Sequence, residues 1–327
     1  MAGWSFSRPD NSFAEPGIAG AAARWIAGAL VLTLGAWLVG FAGLLALANR
    51  VHTDIPRLLA VRLPLLQSHP KLIFAGESRT EYGVDPVLAG ELLGKPPGYA
   101  VNIAYDAGEP LAVAAAARAY PDVFRDAHVV VSVAPFIFNE GVKSAGVYPL
   151  DVAARLDVGT QLVTFLPMRV GTLVRYIHDA FEARLAQQQN VATTSSVPPD
   201  GGVIRLTRQA QGRDNLGGHP HYARWRTDGP KARYAIEALC DIAAASRKLT
   251  VVNPPWVPGD RRADTAWMND EADINALLRA AGKRCRFETL VVTDVPGLAI
   301  ANFSDEMHVN ASGVPIYTRY LMSQLPR

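Results

Sequence analysis

Two short segments, far apart in the chain, contain the residue types of a serine-dependent acyl-transfer site. Ser78 lies in residues 74–79 (FAGESR), directly after a short apolar run and two positions after a glycine. Asp305 precedes His308 by three positions in residues 304–310 (SDEMHVN). A serine hydroxyl is a weak nucleophile near neutral pH and requires an adjacent base. A carboxylate close to an imidazole can orient that base and stabilise its protonated form.

Each segment alone has an ordinary structural interpretation. Ser78 could cap a helix in a turn, and Asp305 could be a helix N-cap beside a surface histidine. The combination is more specific, because the strand-end serine comes early and the Asp-x-x-His sequence comes just before the last predicted helix. We therefore interpret Ser78 as a nucleophile, His308 as its general base and Asp305 as the orienting carboxylate.

This order and placement resemble the SGNH/GDSL hydrolase superfamily. The first, Gly-Asp-Ser-like block of that family corresponds to residues 76–78 (GES), with Glu77 in place of the aspartate. Its last block, Asp-x-x-His, corresponds to residues 305–308 (DEMH). The resemblance covers residues 71–139 and 231–325.

The resemblance implies an oxyanion hole and a substrate class. The hole would comprise the backbone N–H groups of Ser78 and Gly108 and the side-chain amide of Asn139, although no Gly-x-Asn-Asp sequence is present. Residues 76–86 (GESRTEYGVDP) look similar to a membrane-anchored branch that includes proteins of alginate O-acetylation and teichoic-acid D-alanylation. Many of these work beside a membrane-bound O-acyltransferase. The implied activity is acyl transfer or ester hydrolysis on an extracytoplasmic polysaccharide or glycan, without a cofactor.

Other polar residues near these segments have weaker functional interpretations. Arg79 follows the serine and could bind an anionic glycan, but an ion pair with Glu81 or Asp85 is the favoured interpretation. His219 and His221 lack a nearby carboxylate pattern, so we predict no metal site there.

An apolar segment near the N-terminus predicts a membrane anchor. Residues 25–48 contain one polar side chain, Thr33, and at 1.5 Å per residue they would span about 36 Å, enough for a hydrocarbon core of about 30 Å. A buried core helix and a cleaved signal peptide are the alternatives; a signal peptide normally has a shorter apolar region. Flanking charges do not select an orientation, and an exported domain is expected from the family resemblance.

The rest of the chain alternates between predicted strands and helices. Strands are predicted at residues 71–75, 99–103, 128–133, 249–252 and 287–293, and helices at 85–93, 110–120, 231–246, 271–281 and 312–325. Alternating elements of this kind indicate a parallel sheet. We predict a three-layer α/β/α, flavodoxin-like fold with an N-terminal transmembrane helix.

The expected organisation has four parts. They are an N-terminal tail at 1–24, the transmembrane helix at 25–48, a connector at 49–70, and an SGNH-like domain at 71–327 with an insertion at 140–230. The insertion is rich in polar residues, proline and glycine and interrupts the alternation of strands and helices. We interpret it as a lid or a partner surface.

Composition narrows the function further. A net charge of +2 from 32 basic and 30 acidic residues gives no basic patch for nucleic acid, so no nucleic-acid partner is expected. The two cysteines, Cys240 and Cys285, could form a disulfide or remain separate thiols.

A competing hypothesis is a non-catalytic scaffold of the same fold that binds a glycan or a membrane-bound O-acyltransferase. A chance match in an unrelated α/β membrane protein is a third. The expected location is the membrane, single-pass, with the domain periplasmic or extracytoplasmic.

Overall fold

A computed structural model describes residues 16–51, 55–106, 108–139, 225–258 and 265–325, together with positions 174, 177–178, 180–182 and 185. Most of the predicted insertion at 140–230, including His219 and His221, and the first residues of the predicted tail therefore lie outside the described residues.

The first helix, α1 (Pro16–Val51), contains the apolar segment identified in the sequence. Within it, Ala22–Leu44 is long and apolar enough to cross a membrane, at about 34 Å for 23 residues. Most of its large apolar side chains are exposed, as with Leu32 at 75%, although Phe41 is buried. A helix packed into a soluble core would bury such side chains, so the exposed surface is compatible with a membrane anchor.

The elements that follow α1 build an open α/β domain. A one-turn helix α2 (Arg57–Ala60) and a 3₁₀ helix (Leu63–Ser68) lead into the first strand. The remaining elements, in chain order, are β1 (Leu72–Ala75), α3 (Ser78–Gly83), α4 (Pro86–Leu92), β2 (Ala100–Asn102), α5 (Pro110–Ala119), α6 (Pro121–Asp126), β3 (His128–Ser132), a 3₁₀ helix (Pro135–Ile137), α7 (Pro230–Ala245), β4 (Lys248–Asn253), α8 (Thr265–Cys285), β5 (Glu288–Val291), a 3₁₀ helix (Ile300–Asn302) and α9 (Val314–Gln324).

All five strands pair in parallel, in the order β2-β1-β3-β4-β5. This is the strand order of flavodoxin-like folds, in which β2 lies on one side of β1 and the later strands β3, β4 and β5 lie on the other. The five predicted strands are confirmed, each within two residues of its expected ends. At the β1/β3 switch point, connections to the two neighbouring strands diverge and leave a crevice beyond the strand ends.

Helices cover both faces of the sheet, so the three-layer prediction is also confirmed. On one face, Ile73, Val129 and Val251 pack with apolar residues of α5, α6, α7 and α8. On the other face, the alternate residues Phe74 and Val130 pack with α4 and α9. The strands are buried on both faces, and this explains why they read as continuous apolar runs in the sequence.

Of the two short helices that follow β1, the sequence predicted α4 but not α3. Helix α4 begins as expected, with the Asp85 carboxylate accepting hydrogen bonds from the backbone N–H groups of Val87 and Leu88 at 3.0 and 3.1 Å. Helix α3 was not predicted, because six residues ending in a glycine are too short to show helical periodicity. The structure therefore adds a short helix directly after β1, and Ser78 is its first residue.

The two cysteines form a disulfide between α7 and α8. Cys240 and Cys285 have Cα atoms 5.1 Å apart and are separated by 45 residues in the chain. The sequence left open whether these residues were paired, since only the packing of α7 against α8 brings them together.

Candidate active site

The turn between β1 and α3 presents Ser78 at the carboxyl edge of the sheet. Gly76 has a φ of +109°, a value that glycine adopts without strain. Glu77 is the N-cap of α3, and its carboxylate accepts a hydrogen bond from the backbone N–H of Arg79 at 3.0 Å. Ser78 therefore lies beyond the end of β1, beside the β1/β3 switch point, where open parallel sheets bind their ligands.

Close packing against β3 fixes this turn. A Cβ atom on Gly76 would lie 2.2 Å from the backbone oxygen of Ser132. The Ser132 hydroxyl accepts a hydrogen bond from the backbone N–H of Glu77 at 3.1 Å. Ser132, the last residue of β3, therefore fixes the positions of both Gly76 and Glu77.

A compact loop near the C-terminus carries Asp305 and His308. Its ends are closed by a bridge between Phe303 and Val309, and the backbone N–H of Ser304 donates to the carbonyl of His308 at 2.7 Å. Asp305 Oδ1 accepts hydrogen bonds from the backbone N–H groups of Met307 and His308, each at 2.9 Å. The loop conformation therefore fixes the Asp305 carboxylate against the His308 side chain.

The structure brings Ser78, His308 and Asp305 into one hydrogen-bonded series. Oγ of Ser78 lies 2.7 Å from Nε2 of His308. On the other side of the imidazole, Nδ1 lies 2.8 Å from Oδ2 of Asp305. With Nδ1 protonated towards the carboxylate, Nε2 is an acceptor directed at the Ser78 hydroxyl, and this is the arrangement a general base requires.

The electrostatic environment keeps the carboxylate ionised. Partial burial raises the pKa of Asp305, but hydrogen bonds from the His308 ring and from the backbone N–H of Met307, and the nearby charge of His308, outweigh that effect. The net result is a pKa below the usual value for an aspartate. An ionised Asp305 can stabilise a positive charge that forms on His308.

Arg79 has a structural role that differs from the predicted ones. Its side chain is 2% exposed, and Nε donates to Oε1 of Glu77 at 2.9 Å. The other guanidinium nitrogens donate to the carbonyl oxygens of Pro254 and Val133 at 3.0 and 2.8 Å. Burial and these bonds keep the guanidinium from solvent, so they favour a structural role for Arg79 over the predicted contact with substrate. An ion pair is present, but with Glu77 instead of Glu81 or Asp85.

Gly108 is placed next to the serine turn. A Cβ atom on Gly108 would lie 1.9 Å from the backbone oxygen of Gly76, so no larger residue fits. Its backbone N–H donates to the carbonyl of Tyr105 at 2.9 Å. Gly108 is thus close to the nucleophile turn, with its N–H engaged by its own loop.

Asn139 follows the 3₁₀ helix after β3 and is fully buried. Its side-chain Oδ1 accepts a hydrogen bond from the backbone N–H of Arg226 at 3.0 Å. Its carbonyl accepts one from Nζ of Lys231 at 3.2 Å. These contacts connect the end of the β3 segment to the segment that enters α7.

Several residues beside His308 were not identified from the sequence. The ring of Tyr82 packs edge-on against the imidazole, with centroids 5.4 Å apart and planes at 83°. Glu81 forms a buried ion pair with Arg62 from the segment after α1. Trp256 is buried and packs against Met307 and Trp225. The only sequence signal for Glu81 and Tyr82 is their position one helical turn after Ser78. Using that signal requires knowing that residues 78–83 form a helix.

In the part of the chain that the structure describes, no group of three or more His, Cys, Asp or Glu side chains is arranged to hold a metal ion.

Comparisons with known proteins add little to this geometry. No protein-family model matches the chain, and no curated protein is significantly similar to it. Among solved structures, the chain is similar to LAE5, an alpha/beta hydrolase enzyme from the metagenome of Lake Arreo, Spain. The TM-score is 0.38 and the identity 11%, over 78% of this chain and 94% of that one.

Proposed function

We propose that this chain is a membrane-anchored serine esterase or O-acyltransferase of the SGNH/GDSL type. The observation that carries the proposal is the contact of the Ser78 hydroxyl with His308, whose far nitrogen contacts Asp305. Three residues from two distant segments meet in the geometry that activates a serine. The site also lies at the switch point of the sheet, beyond the strand ends.

The proposed reaction proceeds through an acyl-enzyme. Nε2 of His308 takes the proton of the Ser78 hydroxyl as Oγ attacks the carbonyl carbon of an ester. The tetrahedral intermediate then collapses, the ester C–O bond breaks, and His308 gives its proton to the leaving alcohol. In the second half, His308 deprotonates water or a sugar hydroxyl, which attacks the acyl carbon. The bond from that carbon to Oγ then breaks, and His308 returns the proton to Ser78. Asp305 stabilises the imidazolium in both halves.

The proposed oxyanion hole comprises the N–H groups of Ser78 and Gly108 and the amide of Asn139. Ser78 is the first residue of α3, so no carbonyl within the helix accepts its N–H. A contribution from Gly108 requires its hydrogen bond to Tyr105 to open or to be shared on substrate binding. Removing one donor from such a site in other enzymes costs about 10²–10³ in rate.

The proposed location is the membrane, with the catalytic domain on the periplasmic or extracytoplasmic side. The apolar surface of α1 supports the anchor, and the Cys240–Cys285 disulfide supports an oxidising compartment. We further propose a polysaccharide or glycan as the acyl acceptor and a membrane-bound O-acyltransferase as a partner that supplies the acyl group.

The test is acyl release from p-nitrophenyl acetate by the full chain in detergent, compared with Ser78→Ala and with the exposed-serine control Ser323→Ala. Covalent labelling of Ser78 by a fluorophosphonate is measured in parallel. We expect release and labelling in the wild type and in the control, and neither in Ser78→Ala. Equal release by wild type and Ser78→Ala would contradict the proposal. Oligosaccharide acceptors added to the reaction then separate transfer from hydrolysis.

A further inference from the structure

The segment between the apolar helix and the domain reaches into the candidate active site. Arg62, which precedes the 3₁₀ helix Leu63–Ser68, donates through Nη2 to Oε1 of Glu81 on α3. Its Nη1 donates to the backbone oxygen of Asn102, at the end of β2, at 3.3 Å. Both side chains of the ion pair are nearly buried, at 11% and 7% exposure. Arg62 therefore connects the anchor segment to the helix that begins with Ser78.

The same strand end also holds the C-terminal part of α3. Nδ2 of Asn102 donates to the carbonyl oxygens of Thr80 and Val84 at 2.9 and 3.0 Å. Arg62 and Asn102 thus hold α3 together, one through a side-chain carboxylate and the other through backbone carbonyls.

Glu81 is positioned to influence His308. It lies three residues after Ser78, on the same face of a helix. The next residue, Tyr82, packs edge-on against the imidazole of His308. Burial raises the pKa of Tyr82, and the nearby charges of Glu81 and Asp106 raise it further. Glu81, Tyr82 and His308 therefore form one contiguous group.

Burial also raises the pKa of Glu81, while the positive charge of Arg62 opposes that effect and His308 opposes it more weakly. The charged or titratable side chains around the imidazole are Asp305 from its own loop and Tyr82 and Glu81 from α3. Arg62 and Asp106 act on Glu81. Loss of Arg62 would remove the charge that lowers the pKa of Glu81, so the buried carboxyl would lose the ion pair that fixes its position.

We propose that Arg62 is a positioning residue for the Ser78–His308 pair. It acts through Glu81, because their buried ion pair fixes the position of α3 and with it the Ser78 hydroxyl against His308. This inference rests on the proposed function, because it assumes that His308 activates Ser78. The segment between α1 and β1 would therefore contribute a residue that positions the active site.

The test measures kcat and KM for p-nitrophenyl acetate, and the rate of fluorophosphonate labelling of Ser78, with the full chain in detergent. Four variants are compared with the wild type: Arg62→Met, Arg62→Lys, Glu81→Gln and the double variant Arg62→Met/Glu81→Gln. Arg57→Met is the matched control, because Arg57 is in the same segment, is 56% exposed and pairs only loosely with Glu182 at 3.8 Å. Thermal unfolding is measured for every variant.

Arg62→Met is expected to lower kcat and the labelling rate by about tenfold or more with little change in KM, because the Ser78 hydroxyl is no longer held in place against His308. Glu81→Gln is expected to lose a similar factor, and the double variant little more, since both changes break the same ion pair. Arg62→Lys is expected to recover most of the loss, and Arg57→Met to match the wild type.

Wild-type kcat and labelling rate in both Arg62→Met and Glu81→Gln would overturn the inference, as would losses that add in full in the double variant. If Arg62→Met does not fold, the near-isosteric Glu81→Gln decides alone, and an unchanged kcat and labelling rate overturn the inference. These outcomes differ from failure of the proposed function, in which wild type and Ser78→Ala release product equally and Ser78 is not labelled.

Discussion

Oγ of Ser78 and Nε2 of His308 are 2.7 Å apart, although the two residues are separated by 230 positions in the chain. The contact depends on two turns that are each fixed independently. One is the β1–α3 turn, held by Ser132, and the other is the loop closed by Asp305. Catalysis by this pair should therefore respond separately to changes in each turn.

Replacing Asp305 with asparagine tests the orienting carboxylate. The amide keeps the oxygen that accepts hydrogen bonds from the backbone of the loop, but it removes the negative charge facing Nδ1 of His308. We expect kcat for p-nitrophenyl acetate to fall by about 10²–10⁴, since the same change in a serine protease triad costs about 10⁴. The exposed Asp294→Asn is the control. An unchanged kcat in Asp305→Asn would exclude this role.

Replacing Gly76 with alanine tests the packing of the serine turn. The new Cβ would be 2.2 Å from the backbone oxygen of Ser132, and the φ of +109° would be strained. We expect a loss of more than about 2 kcal/mol in the free energy of unfolding, together with loss of activity. Gly98→Ala is the matched control, because Gly98 also has a positive φ, of +82°, but its nearest neighbouring atom would be 3.7 Å away. Similar losses in both variants would mean that the Ser132 contact is unimportant.

His128 makes the stability of the domain depend on pH. Burial, with the charges of Lys248 and Arg247, lowers its pKa to about 4, from about 6.5 in the unfolded chain. The unfolded state therefore binds more protons than the folded state between these values, so stability falls as pH decreases from 6.5 to 4. The total loss is about 3 kcal/mol.

Urea unfolding at several pH values checks this expectation in wild type, His128→Asn and His69→Asn. His69 is exposed, so its variant should keep the wild-type slope. His128→Asn should have a lower free energy of unfolding near pH 7. That free energy should change less between pH 6.5 and 4 than it does in the wild type. Parallel pH profiles in wild type and His128→Asn would show that His128 does not cause the slope.

The disulfide between α7 and α8 predicts the redox behaviour of the whole chain, which has two cysteines. Protein isolated from its own membrane and denatured should react with maleimide only after reduction. Replacing both cysteines with serine should lower the free energy of unfolding by about 4 kcal/mol, as estimated from closure of a loop of 45 residues. Maleimide labelling without reduction would contradict the disulfide and weaken the proposed extracytoplasmic location.

The sequence indicates the strands and the three residues of the candidate triad for identifiable reasons. A strand buried on both faces is a short apolar run, and the run before Gly76 ends at the carboxyl edge, where sites form. The Asp305–His308 spacing is local, so one turn suffices to join them. The contact of this pair with Ser78 was a hypothesis from the order of the segments along the chain.

The remaining contacts depend on tertiary packing that leaves no local pattern. Arg79 has a carboxylate two positions before it, Glu77, and another two positions after it, Glu81. The turn of the chain at Glu77 determines that Glu77 is the partner in the ion pair. Arg62 and Glu81 lie 19 residues apart, on elements whose packing cannot be inferred from periodicity. Helix α3 is too short to identify from the sequence. Glu81 and Tyr82, one turn after Ser78, therefore could not be predicted to lie near the candidate active site.

The Arg62 contact also limits how far the candidate site can lie from the end of α1. Val51 ends that helix, and eleven residues later Arg62 already touches α3. Even fully extended, this length of chain covers no more than about 40 Å. With α1 inserted in a bilayer, Ser78 would work within a thin layer above the headgroups. Encounters with a lipid-held or surface-bound substrate would then be a two-dimensional search, governed by the number of molecules per unit of membrane area and not by their bulk concentration.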